Sequence, residues 1–240
     1  ICNELEALKY PALTPGNIDR YITIEGREHL DQALDAGRGA MLLFAHYGAN
    51  QMVMPAIGHR GYTMCQLSAP PTVWPEKMPD RVFSPMELRA LEWRWACEES
   101  LPVTHINIFG SLKRAFKCLN NNQVLGVAID GGGGDKRAEV ELLGRRAQLS
   151  IGALQIALRT SCTVLPVFVE RETKRRNRMM IQPPLELPHE GDDEEKVRHG
   201  TQLFADILGT FVSHHPSYYL DFMALRAMMA EKNDPPLFLD

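Results

Sequence analysis

The stretch Gly39-Ala-Met-Leu-Leu-Phe-Ala-His46-Tyr-Gly-Ala-Asn-Gln51 decides the fold. Six apolar residues, Ala40 to Ala45, run unbroken behind Gly39, the pattern of a strand covered on both faces. His46-Tyr47-Gly48 follows at once, and a helical stretch begins near Asn50. In an open α/β sheet the strand ends are where loops leave the core and clefts open. A histidine there meets substrate while the strand fixes its place, and imidazole ordinarily changes charge near neutral pH. His46 is therefore the candidate general base. The alternative for such a residue is a half-buried imidazole bonded to a carbonyl.

Working outward, 240 residues with 45% hydrophobic content suffice for one α/β domain over 1–240, with residues 1–20 as an N-terminal extension. The net charge of −4 gives no overall attraction to nucleic acid, so no nucleic-acid partner is expected. The five cysteines, Cys2, Cys65, Cys97, Cys118 and Cys162, show no C-x-x-C spacing. Neither a disulfide framework nor a metal site is expected, and a reducing compartment is the simplest reading. No stretch approaches 18 consecutive apolar residues. A chain that starts at Ile1 rather than Met leaves room for an N-terminal anchor ahead of it.

The remaining patterns predict strands at Tyr21–Glu25, Tyr62–Leu67, Leu101–Ile108, Val124–Ile129 and Ala138–Leu143. A strand over Val164–Val169 is expected to break at Pro166, and a last one spans Tyr218–Phe222. Helices are predicted at Glu28–Ala36, Asn50–Ile57, Met86–Glu99, Ser111–Leu119, Ile151–Arg159 and Asp193–Val212. Ser84, Pro85 and Glu87 form a start signal for the third of these, and Ser150 is the expected cap of the fifth. Residues 68–86 hold five prolines and read as a long loop with Trp74, Phe83 and Met86 as apolar anchors. Trp93 and Trp95, two apart, cannot share a helix face, so one meets a second surface.

The strand ending at Asp130 repeats the theme of a polar residue at a buried strand end. Gly131–Gly134 and Asp135 follow as a loop whose amides can cradle an anion, though not in the pattern of a nucleotide-binding loop. The basic run from Arg171 to Arg178 reads as a hairpin turn or as a phosphate or membrane patch. The fold class is a single α/β domain with a mixed, mostly parallel central sheet flanked by helices.

From about Gly37 to Arg226 the order of these elements resembles the glycerolipid and lysophospholipid acyltransferase superfamily, and within it the bacterial lipid A biosynthesis branch. The first motif, His-x4-Asp/Glu after a buried strand, stands here as His46-Tyr-Gly-Ala-Asn-Gln51. The second match is Ile129-Asp130, then Leu143-Gly-Arg-Arg-Ala147. A helix start with Gly152, a strand carrying Leu165-Pro-Val167 and a closing His215-Pro-Ser-Tyr-Tyr219 complete the order.

The resemblance implies transfer of a fatty acyl group from an acyl-thioester, on acyl carrier protein or coenzyme A, to a hydroxyl or amine of a membrane lipid. No cofactor is bound permanently; the thioester is a co-substrate. The expected setting is peripheral, on the cytoplasmic face of the inner membrane. Carried over by position, His46 is the base and Gln51 stands where the family has the acid that orients it. Asp130 is a further candidate carboxylate. Gly48, Asn50, Arg145, Arg146 and Gly152 are candidate substrate-binding residues, the arginines for phosphate.

Gln51 is the main departure, since an amide can hold an imidazole but cannot neutralise an imidazolium. Three readings stay open. The ring is held by Gln51 itself or by another carboxylate such as Asp130; the chain has been inactivated by substitution; or the fold persists as a silent acyl-lipid- or carrier-binding protein. The first is preferred, because Ala49-Asn50 also departs from the usual Asn-Trp. Thioester hydrolysis is a conceivable side reaction.

Overall fold

A computed structural model describes residues 6–78, 81–131, 136–188, 190–231 and 234–239. Strand β1 is Ile22–Glu25, and helix α1, Arg27–Asp35, returns the chain to β2, Ala40–Phe44. A 3-10 turn at Asn50–Met52 leads into α2, Val53–Gly58, then β3, Met64–Ser68. A short helix α3, Trp74–Lys77, precedes α4, Pro85–Glu99, and β4, Val103–Asn107. Helix α5, Lys113–Asn120, is followed by β5, Val124–Ala128, and a hairpin of β6, Arg137–Leu142, with β7, Arg145–Ser150. The chain ends with α6 Gly152–Thr160, β8 Thr163–Arg171, β9 Asn177–Ile181, α7 Asp193–His214 and α8 Ser217–Ala230.

Seven strands form one sheet in the order β1-β9-β8-β2-β5-β3-β4. The five from β8 to β4 are parallel, so their carboxyl ends share one edge; β9 runs against β8, and β1 runs with β9. This is the mixed, mostly parallel sheet the sequence implies. Every residue of β2 is buried. Met41, Leu43 and Ala45 enter a core completed by Phe204 and Leu208 of α7 and by Tyr219 and Phe222 of α8. Ala40, Leu42 and Phe44 enter the opposite core with Leu30 of α1 and Val53 and Ile57 of α2. A central strand with helices on both faces has no polar side to show, which is why it reads as an apolar run rather than an alternation.

Residues 6–20 pack under the sheet instead of trailing as an extension. Tyr10, Leu13 and Ile18 are buried in the second core, and Glu6 is ion-paired to both Lys9 and Arg171. Pro166 does not break β8. It lies where the ladder to β2 ends and the ladder to β9 begins, and its carbonyl accepts the Gln182 N–H at 2.8 Å.

Tyr218–Phe222 is helical rather than a strand: Tyr219, Phe222 and Arg226 recur at helical spacing and form the buried side of α8. Arg145–Ser150 is the strand β7, with Ala147 and Leu149 buried on one face, so the helix after it starts at Gly152 with Ile151, not Ser150, in the N-cap position. Within residues 68–78 of the expected loop the chain forms a 3-10 turn, Pro71–Val73, and α3. The α4 start is a full capping box: Ser84 Oγ accepts the Glu87 N–H at 3.2 Å and Glu87 Oε2 accepts the Ser84 N–H at 2.8 Å. Trp95 meets the His105 ring edge-on at 4.9 Å while Trp93 is exposed. The expected anion-cradling loop falls on residues 132–135, outside the described residues.

Candidate active site

Register builds the centre of the site. β2 and β5 pair in parallel with Phe44 beside Ala128, and the Ile129 N–H donates to the Phe44 carbonyl at 2.9 Å. Two residues beyond each strand, His46 and Asp130 therefore stand side by side. The imidazole Nδ1 lies 2.7 Å from Asp130 Oδ1, and the His46 backbone N–H donates to Oδ2 at 2.8 Å. A carboxylate can only accept, so in the neutral imidazole paired with it Nδ1 carries the proton and the lone pair is on Nε2. The Asp130 side chain is wholly buried, whereas that of His46 is 40% exposed.

Helix α8 closes the centre from above. The Tyr219 hydroxyl donates to Asp130 Oδ2 at 2.9 Å, and the Phe222 ring lies parallel to the imidazole, 4.3 Å away and 2° from coplanar orientation. Burial, then the adjacent Asp130 charge and this hydrogen bond, hold the Tyr219 phenol well above its ordinary pKa, so it remains a donor. Sequence reasoning assigned no role to Tyr219 or Phe222. The signal was their helical spacing, obscured by the β-favouring composition Tyr-Tyr-Leu-Asp-Phe.

Gln51 is not on the ring. Its carbonyl accepts the Tyr10 hydroxyl at 2.8 Å, and its side-chain Oε1 is buried with no hydrogen-bond partner among the described residues. The position expected to hold the imidazole thus leaves it alone, and Asp130, from a different strand, takes the contact. Asn50 is buried in the same turn.

Gly48 has φ +58°, and a Cβ there would sit 2.0 Å from the Val169 carbonyl oxygen. Its N–H donates to the Tyr218 carbonyl and that of Ala49 to the Val169 carbonyl, both at 2.9 Å. The close approach that glycine permits is therefore to β8 and not to a ligand. Beside it, the buried Tyr47 hydroxyl donates to Glu170 Oε1 at 2.7 Å, and Arg178 pairs with Glu170 Oε2 at 3.2 Å. The loop that carries His46 is pinned on three sides.

Arg145 and Arg146 lie apart from this centre. Ser150, at the other end of β7, donates its N–H to the Ile129 carbonyl, and five residues of strand from there to Arg145 span roughly 17 Å. Arg145 stacks over the Phe238 ring at 4.6 Å, and Arg146 pairs with Glu139 at 2.9 Å on the surface. The Arg146 carbonyl also accepts the Leu239 N–H, so this end of the hairpin holds the C-terminal segment. Gly152 opens α6 two residues after Ser150, next to the strand end that carries Asp130. Among the described residues no group of three or more His, Cys, Asp or Glu side chains can hold a metal ion, and no helix is long and apolar enough to cross a membrane.

The arrangement suits one chemistry: a half-exposed imidazole whose Nε2 can take a proton, backed by a buried carboxylate that steadies the resulting cation. Comparison with known proteins bears on which reaction uses it. The model of a family described as bacterial lipid A biosynthesis acyltransferase matches residues 5–225. A phosphatidylinositol mannoside acyltransferase of Mycolicibacterium smegmatis is 25% identical over 167 residues, covering 68% of this chain and 50% of the relative. The chain thus spans about half the length of that curated relative. Among solved structures, the 1-acyl-sn-glycerophosphate acyltransferase PlsC from Thermotoga maritima superposes with a TM-score of 0.42 at 16% identity, covering 84% of this chain and 76% of the other.

Proposed function

Because the chain belongs to the bacterial lipid A biosynthesis acyltransferase family, we propose that it transfers a fatty acyl group from a thioester of acyl carrier protein or coenzyme A to a hydroxyl or amine of a membrane lipid. The observation that carries this reading is the 2.7 Å contact of His46 Nδ1 with the buried Asp130, on a half-exposed imidazole whose other nitrogen, Nε2, is then the one to accept a proton. Nε2 takes the proton of the acceptor hydroxyl or amine as that atom attacks the thioester carbonyl. Asp130 stabilises the imidazolium so formed. The tetrahedral intermediate then collapses with cleavage of the carbon–sulfur bond, and the imidazolium returns the proton to the departing thiolate. A thioester is already activated, so the protein supplies a base and positioning, with no covalent acyl-enzyme.

The competing reading, a silent acyl-lipid- or carrier-binding protein, drew its support from Gln51. With a carboxylate from β5 hydrogen-bonded to the ring, that residue no longer favours it. The proposed setting is peripheral, at the cytoplasmic face of the inner membrane, where a lipid acceptor presents its head group to Nε2.

Thiol release from acyl-coenzyme A and acyl-carrier-protein panels, with and without extracted membrane lipid, tests the reading. Lipid-dependent release is expected, falling by about a thousandfold or more in His46→Ala with thioester binding retained. Turnover unchanged in His46→Ala overturns the assignment of the base, and binding without any release in the parent chain moves the conclusion to the silent binder.

A further inference from the structure

We propose that Tyr219 is a positioning residue for acyl transfer, its hydroxyl fixing the Asp130 carboxylate in the orientation that presents Oδ1 to His46; this rests on the reading of that pair as base and orienting carboxylate. An aspartate carboxylate turns freely about its last bond, with a broad torsional preference, so its orientation comes from its hydrogen bonds. Here Oδ1 is taken by the imidazole, and Oδ2 by the His46 N–H at 2.8 Å and the Tyr219 hydroxyl at 2.9 Å. Both donors to Oδ2 come from outside β5, and only Tyr219 comes from outside the His46 segment. Among the described residues it is the bond in this set that ties the carboxylate to the rest of the molecule.

The geometry of α8 supports this role. Tyr219 and Phe222 are one helical turn apart and lie on the same side of the helix, so one turn touches both partners, the hydroxyl on the carboxylate and the ring flat on the imidazole. The helix is itself tied to the loop after His46, because the Tyr218 carbonyl accepts the Gly48 N–H at 2.9 Å. Tyr47 provides an internal control. It too is a buried phenol donating to a buried carboxylate, Glu170 at 2.7 Å, in the residue next to His46. That carboxylate makes no hydrogen bond to the imidazole of His46, so the same chemical deletion can be made at equal depth with and without a bond to the carboxylate that holds the ring.

The test is the pH dependence of lipid-dependent thiol release in the parent chain, Tyr219→Phe and Tyr47→Phe, with the His46 Nδ1–H resonance followed by NMR in each. For Tyr219→Phe we expect kcat to fall about ten- to a hundredfold at unchanged KM. Its acid limb moves to lower pH, because a carboxylate no longer held toward Nδ1 stabilises the imidazolium less, and the Nδ1–H resonance broadens or is lost. Tyr47→Phe leaves the acid limb and the resonance in place. An acid limb and resonance in Tyr219→Phe that match the parent overturn the proposal, as does an equal displacement in Tyr47→Phe. Turnover that survives His46→Ala would instead strike the reading of the pair, and the resonance, observed without turnover, still decides whether Tyr219 orders it.

Discussion

His46 and Gln51 are five residues apart and have opposite surroundings. The imidazole has a carboxylate on Nδ1, a ring on its face and a backbone N–H tied to the same carboxylate. The Gln51 amide oxygen, by contrast, is hidden from water and has no hydrogen-bond partner among the described residues. A buried acceptor without a donor costs about 1–3 kcal/mol, so nothing in the geometry holds glutamine there for the ring's sake. The difference teaches that spacing within one loop is weaker guidance than register between strands: Asp130 is 84 residues from His46 in the chain and beside it in the sheet.

The contrast can be broken most severely from the His46 side. Gly48→Ala forces a Cβ to within 2.0 Å of the Val169 carbonyl at a positive φ, and no side chain can give way because the obstacle is backbone. We expect a stability loss of at least about 3 kcal/mol with loss of turnover, read by denaturant unfolding alongside thiol release. An unfolding midpoint within error of the parent would mean that β8 does not seat the loop.

A smaller effect sharpens the comparison through pH. Burial first, then the neighbouring carboxylates, raise the phenols of Tyr219 and Tyr47, whereas unfolded tyrosine ionises near pH 10. A folded pKa above the unfolded one gives stability that is complete below about pH 10 and is lost as pH rises beyond it, by up to about 1.4 kcal/mol per pH unit for each group. Thermal unfolding should therefore hold level to about pH 9.5 and decline above it. The decline should be shallower in a Tyr47→Phe/Tyr219→Phe double variant; an identical slope would show that other groups set the alkaline limit.

Much of the scaffold was legible because its signals are local. β2 is apolar throughout since both its faces are covered, the α4 start carries its whole capping box in four residues, and the polar residues after β2 and β5 mark strand ends. What escaped depends on partners far away in the chain. The sequence leaves Gln51 and Asp130 both open as the partner of His46, and the choice of Asp130 follows from the Phe44–Ala128 register, which no window of sequence contains. The resemblance offers Arg145 and Arg146 for phosphate; that Arg145 stacks on Phe238 and the Arg146 carbonyl accepts the Leu239 N–H is likewise outside any local window. In α8, aromatic composition outweighed spacing, hiding the helix and with it Tyr219 and Phe222.

The central claim, that Asp130 and not the residue five after the histidine orients the base, is tested most directly by kcat for lipid-dependent thiol release in Asp130→Asn and Gln51→Met measured side by side. The account predicts a loss of about a thousandfold or more in Asp130→Asn and a change within about threefold in Gln51→Met, whose side chain leaves the buried pocket without an orphaned oxygen. A large loss in Gln51→Met with Asp130→Asn near the parent would contradict it.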